Sequence, residues 1–217
     1  WTARLGWHEA VANHFSAVVD EHRFLLNPVG RHFARITASD LLVLDTAGAG
    51  AGHMAEGADI TAWYLHAHVH HGVPRAKVIL HTHMPYATTL ACLEGYEFQM
   101  LDQNACRFFR GVAADRDYGG MVMDDSEGER VARLLGTDKN VVLLGNHGVI
   151  VVGETDAEAW DDLYHFEHAC RLQVLALSTG RPLAILSNAV AARTARQWND
   201  YPHPAAQAHL DELMAIL

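Results

Sequence analysis

Residues 141–152 read Val141-Val142-Leu143-Leu144-Gly145-Asn146-His147-Gly148-Val149-Ile150-Val151-Val152. Two runs of four apolar, mostly β-branched residues flank a tetrapeptide in which two glycines bracket an asparagine and a histidine. Such runs fit buried strands, and the tetrapeptide has the composition of a tight turn. The turn joins the two strands directly, with no room for a crossover helix. Elsewhere along the chain strands alternate with helices. The pattern predicts an α/β domain whose sheet is mixed and largely antiparallel, not doubly wound.

Working outward, residues 77–83 read as a strand halted by Met84-Pro85, and residues 86–93 as the helix that follows. Residues 58–71 have helical character and close at Gly72 and Pro74. Phe24-Leu25-Leu26 is a strand stopped by the turn Asn27-Pro28-Val29-Gly30, and residues 41–44 fit a buried strand. Residues 127–135 read as a helix. Residues 155–178 form a long helix, with Thr155 as N-cap and Glu158 at capping-box spacing. Two further helices are expected over 189–199 and 204–217. Residues 7–20 begin with helical spacing at Trp7, Ala10, Val11 and Ala12 and finish as a strand. Residues 95–120 show no clear period. Gly48, Gly50 and Gly52 mark a loop, but no Walker lysine follows and the dinucleotide-binding spacing is absent. No repeat or linker divides the chain, so residues 1–217 are expected to form a single domain.

Composition narrows the function. The 217 residues are half hydrophobic, enough for a full core. Lys and Arg number 16 against 26 Asp and Glu, a net charge of −10, which argues against a nucleic-acid partner. No apolar run approaches the ~20 residues of a membrane helix. Cys92, Cys106 and Cys170 form no C-x-x-C pair and read as buried free thiols in a reducing compartment. The visible N-terminus lacks a signal-peptide pattern, so a cytoplasmic location is expected. The open feature is histidine: 16 residues, as many as Lys and Arg together.

Three histidine constellations stand out. In His81-Thr82-His83 the period of two places both imidazoles on one face at a strand end, where they either converge on one ion or are two unrelated polar groups. His147 sits in the Gly145–Gly148 turn, which either pushes an imidazole into a cleft or carries it incidentally. His66, His68, His70 and His71 lie on one predicted helix. His66 and His70 have i, i+4 spacing, but Ala67 stands where a zincin would have Glu, so a metalloprotease is disfavoured.

Together these motifs resemble the class II aldolase/adducin family. The likeness rests on His81-Thr82-His83-Met84-Pro85-Tyr86-Ala87-Thr88, on Leu144-Gly145-Asn146-His147-Gly148-Val149, and on Gly153-Glu154-Thr155 opening a helix. Asn27-Pro28-Val29-Gly30 and Ile36-Thr37-Ala38-Ser39-Asp40-Leu41 add an N-terminal match. The resemblance implies a three-layer α/β/α domain and a divalent metal held by His81, His83 and His147. Zinc or manganese is favoured, with iron or cobalt compatible. It also implies a homotetramer with active sites at subunit boundaries, to which the C-terminal helices, with Trp198, Tyr201 and His203, would contribute.

The chain departs from the sugar-phosphate aldolases of that family at two places. Their Ser-Glu-Trp-like motif supplies a carboxylate, whereas here the helix reads Thr61-Ala62-Trp63, so Ala62 occupies the Glu position. Glu56 and Asp59 are the nearest upstream carboxylates. The phosphate motifs Gly-Asn-x-Ser and Thr-Pro-x-Gly correspond to Asn13-His14-Phe15-Ser16 and Asn27-Pro28-Val29-Gly30. A non-phosphorylated carboxylate substrate follows, and the pattern resembles the adducin-like branch with decarboxylases of hydroxy-aromatic or hydroxypyridine dicarboxylates. Loss of CO2 from an ortho-hydroxy carboxylate needs no base, but it needs an acid to protonate the ring carbon. His14 is the candidate acid, with Asn27, Gly30, Arg31 and His66 as candidate substrate contacts. The expected activity is thus a metal-dependent carbon–carbon lyase, a decarboxylase before an aldolase of a hydroxy-keto acid or sugar phosphate. A non-haem iron oxygenase and a non-catalytic adducin-like module are the remaining alternatives.

Overall fold

A computed structural model describes residues 1–46, 56–201 and 205–217. The glycine loop expected at Gly48, Gly50 and Gly52, together with His203 and Pro204, lies outside the described residues. Seven strands form one sheet: β1 (His14–Val18), β2 (Arg23–Leu26), β3 (Leu42–Asp45), β4 (Val78–Thr82), β5 (Val112–Asp115), β6 (Val141–Leu144) and β7 (Gly148–Gly153), in the order β3-β2-β1-β4-β7-β6-β5. Every pairing is antiparallel except β5 with β6. The mixed, largely antiparallel sheet expected from residues 141–152 is the one observed.

Strand alternation builds the layers. Val78, Leu80, Val141, Leu143, Val149 and Val151 face α2 (Pro85–Ala91) and α4 (Asp156–Ser178). The intervening Ile79, Val142, Leu144, Ile150 and Val152 face α1 (Ile60–Gly72) and α3 (Asp125–Leu135). Helix α4 starts at the predicted capping box, with Thr155 Oγ1 and the Glu158 backbone, and Glu158 Oε2 and the Thr155 backbone, each 3.1 Å apart. The last two helices, α5 (Asn188–Asn199) and α6 (Ala205–Ala215), pack along this side. His209 on α6 meets Asp161 on α4 at 2.7 Å, and Trp198 on α5 donates to the Gln103 carbonyl at 3.1 Å. Among the described residues no helix is long and apolar enough to cross a membrane.

Three sequence expectations are corrected, and one stretch without a clear period is resolved. Residues 7–12 are not helical: only Trp7 packs inward, against Trp160 and Tyr164, while Ala10, Val11 and Ala12 are exposed and Ala10 has φ +48°. The apolar spacing therefore had no helix face to serve. The strand at 42–45 is an edge strand, not a buried one, with Val43 half exposed and only Leu44 buried. Within the unreadable 95–120 stretch lies β5, four residues of Val-Ala-Ala-Asp too short and too alanine-rich to show a period. All three cysteines are free as expected, but Cys92 is exposed.

Candidate metal centre

His81 is the fourth residue of β4 and is 1% exposed. The strand ends at Thr82, so His83 lies just past the ladder. Because β7 pairs with β4 and places Val149 opposite Thr82, the β6–β7 turn carries His147 to the same strand end. The three rings have centroid separations of 5.1, 4.8 and 4.9 Å, and each offers a nitrogen within 4.8 Å of the others.

The turn is shaped for this approach. Asn146 has φ +56°, and a Cβ on Gly148 would stand 2.6 Å from the Thr82 carbonyl oxygen and 2.8 Å from the His83 ring. A Cβ on Gly145 would meet the Asp115 carbonyl at 2.7 Å. Gly148→Ala is therefore expected to destabilise the protein by about 1–3 kcal/mol, the usual cost of overpacking, and to weaken metal binding. A urea midpoint and a zinc affinity both equal to wild type would contradict this.

The donor set fits a divalent cation. His81 Nδ1 donates to the Val149 carbonyl at 3.0 Å, and His83 Nδ1 donates to Glu9 Oε2 at 2.5 Å. Both rings therefore keep an unprotonated Nε2, held in the orientation that outer carbonyl and carboxylate partners give metal-ligating histidines. His147 has a buried Nδ1 with no partner among the described residues. Burial holds His81 well below the ordinary imidazole range, and further positive charge on His14, His147 or His83 would add to this. Burial, to which positive charge on His83 would add, brings His147 down to about 4, with Glu9 opposing. The lone pairs are thus available at neutral pH. Three imidazoles leave positions open for substrate oxygens, the pattern of a catalytic site.

His14 opens β1 directly opposite His81 in the β1–β4 register, with the two rings 4.6 Å apart. Its Nδ1 lies 2.7 Å from Nε2 of His66, which is fully buried on α1. Ser16, two residues on and on the same face, bonds His66 Nδ1 at 2.5 Å and His70 Nε2 at 2.7 Å. The other helix histidines are elsewhere: His68 meets Asp125 on α3 at 2.7 Å, and His71 is exposed.

The remaining candidates serve the surroundings. Ala62 is fully buried among Phe24, Leu26 and Trp63, so the aldolase Glu position here is core. Asp59 caps α1, accepting from the Thr61 backbone at 2.8 Å. Asn27 accepts from the Phe15 amide at 2.7 Å and donates to the Asn13 carbonyl at 3.3 Å, tying the Asn27–Gly30 turn to β1. Gly30 and Arg31 are exposed, and Arg31 pairs with Asp40. His32, next to Arg31, meets His8 at 2.6 Å beside Glu9. The apolar groove of about 720 Å³ lined by Trp1, Phe15, Leu25, Leu80 and Trp160 opens on the sheet face opposite His14. Sequence reading missed Glu9 and also Tyr118, an exposed ring 6.1 Å from that of His147. Neither carried a local signal, since each reaches the site from an irregular segment.

Comparison with known proteins settles the family. Residues 1–174 match the Class II Aldolase and Adducin N-terminal domain. The chain belongs to this family. It is 32% identical over 227 residues to Decarboxylase NovR of Streptomyces niveus, covering 99% of this chain and 83% of that protein. It is 31% identical to the 4-hydroxy-3-prenylphenylpyruvate oxygenase/4-hydroxy-3-prenylbenzoate synthase of Streptomyces roseochromogenus subsp. oscitans, covering 99% of this chain and 80% of the other. A crystal structure of an aldolase II superfamily protein from Pseudomonas syringae superposes with TM-score 0.86 at 29% identity, over 99% of this chain and 86% of that one. The class II aldolase fold expected from the histidine motifs, and the adducin-like branch expected from the altered phosphate motifs, are those of this chain.

Proposed function

We propose that the chain is a metal-dependent carbon–carbon lyase that decarboxylates a non-phosphorylated hydroxy-aromatic or hydroxypyridine carboxylate. The observation that carries this reading is the neighbour of the His81–His83–His147 cluster: an imidazole, His14, on β1, where a carboxylate from α1 is replaced by the buried Ala62. An aldolase cleavage needs a base for the substrate hydroxyl, whereas loss of CO2 needs a proton delivered to carbon. One Streptomyces relative is named a decarboxylase, and the name of the other carries the hydroxy-aromatic compounds 4-hydroxy-3-prenylphenylpyruvate and 4-hydroxy-3-prenylbenzoate.

When bound, zinc or manganese would act as a Lewis acid that stabilises negative charge as the carbon–carbon bond breaks. His81, His83 and His147 hold it, and Glu9 orients His83. His14 hands a proton to the ring carbon that CO2 leaves. Asn27 braces the turn that carries Gly30 and Arg31, and the Arg31 guanidinium meets a substrate carboxylate in exchange for Asp40. His66 acts through His14, which separates it from the cluster. The family resemblance extends the proposal to a homotetramer.

A second reading is an iron-dependent oxygenase, favoured by the relative named as one. Metal-loaded protein incubated with a panel of hydroxy-arene and hydroxypyridine carboxylates separates the two. The lyase releases CO2 with no oxygen uptake. Oxygen uptake matching product, or an aldehyde product without CO2, would replace the decarboxylase reading.

A further inference from the structure

The buried contacts beside the metal centre form one unbroken chain: His14 Nδ1 to His66 Nε2, His66 Nδ1 to Ser16 Oγ, Ser16 Oγ to His70 Nε2, and His70 Nδ1 to the Ala76 carbonyl at 2.7 Å. It arises where two periods mesh. His14 and Ser16 are i, i+2 on β1 and share a face, and His66 and His70 are i, i+4 on α1 and share a face. All four side chains are buried.

The last partner decides the direction of every bond. A backbone carbonyl only accepts, so His70 Nδ1 carries the proton. Burial, with Phe24 packed 5.1 Å away, brings the pKa of His70 down to about 4 and keeps it neutral, so its Nε2 is bare. Ser16 must then donate to His70 and accept from His66 Nδ1. His66 Nε2 is bare in turn, and His14 Nδ1 donates to it. Running the bonds the other way would set a bare His70 nitrogen against the Ala76 oxygen, leaving both buried groups unsatisfied.

We propose that Ser16, His66 and His70 are positioning residues that lock His14 in the Nδ1-protonated tautomer, so that the nitrogen left for the metal centre, Nε2, is bare in the resting enzyme. This rests on the reading of His14 as the group that protonates carbon, and it deepens it, because a bare nitrogen must first acquire the proton it delivers. A water molecule is the donor: its O–H bond breaks as Nε2–H forms, leaving hydroxide. The carbon–carboxylate bond then breaks, the electron pair staying on the ring carbon as CO2 leaves, and Nε2–H passes to that carbon. His14 ends neutral as it began, the substrate hydroxyl keeps its proton throughout, and the hydroxide takes up the CO2 as bicarbonate.

The test is the tautomer itself. In zinc-loaded protein with nitrogen-15 histidine, two-dimensional NMR is expected to show His14, His66 and His70 each protonated at Nδ1 only. In Ser16→Ala, His66 and His14 are expected to become mixtures of tautomers, with kcat lower by about 10-fold, at the low end of outer-partner effects, and KM within about twofold. Ser16→Thr, which keeps the hydroxyl, is expected to restore both. A wild-type His14 protonated at Nε2, or Ser16→Ala spectra with unchanged tautomers, would overturn the relay. The wild-type spectrum alone decides if the variant does not fold. Locked tautomers in a protein that releases no CO2 would leave the relay standing and remove the lyase reading instead.

Discussion

Replacing His147 by alanine is expected to abolish metal-dependent turnover while leaving the fold intact. His147 sits in the turn between β6 and β7, only partly buried, and supplies one of the three clustered ring nitrogens. Its loss leaves two imidazoles, too few to hold a divalent ion against solvent. Glu9 gives the scale. It acts only by orienting His83, and changes to such outer partners typically cost 10–100-fold in metal affinity or activity. Glu9→Ala is expected within that range, and His147→Ala well beyond it, at roughly 1,000-fold or more by comparison with that outer-partner range. Zinc titration against a competing chelator, with circular dichroism to confirm folding, checks both. A folded His147→Ala protein with wild-type turnover would remove the centre from the reaction.

The second large effect is loss of stability in acid. His70 is held at about 4 by burial, against the opposing Ala76 carbonyl, and His66 is held well below its ordinary value by burial, to which positive charge on His14 or His70 would add. Both are ordinary imidazoles near 6.5 in the unfolded chain. Below that pH the unfolded chain binds the extra protons, so the stability these groups contribute is complete above pH 6.5 and is lost as pH falls toward their folded values. His70 alone accounts for about 3.5 kcal/mol over that window, from about 6.5 to about 4 at roughly 1.4 kcal/mol per pH unit, and His66 adds to it. Urea midpoints of metal-free protein at pH 7.5, 6 and 5 are expected to drop steadily. An unchanged midpoint at pH 5 would mean that these histidines are not buried neutral.

What was legible in the sequence follows from the range of each interaction. His81, His83 and His147 are placed by local rules, a strand end and a glycine-bracketed turn, and sequence spacing finds them. The pairing of His14 with His81 depends on the register between strands 67 residues apart, which no local period encodes. In sequence, i, i+4 spacing set His66 and His70 on one helix face but named no shared partner for them. Only the meshing of α1 with β1 separates His66 and His70, joined through Ser16, from His68 on Asp125 and from exposed His71. Glu9 was invisible because it lies in an irregular segment whose apolar spacing imitates a helix. Ala62 was informative in sequence as a missing carboxylate, and the structure supplies the reason for its size: it fills a core position beside Phe24 and Leu26.

The proposed reaction is a metal-dependent loss of CO2 with a proton returned to the vacated carbon. The most direct measurement is an anaerobic reaction of zinc- or manganese-loaded protein with ortho-hydroxy aromatic and hydroxypyridine carboxylates in heavy water. The account predicts one CO2 per product, one deuterium at the carbon that carried the carboxylate, and neither from His147→Ala. Release of CO2 only when oxygen is admitted, or equal release by metal-free protein, would contradict it.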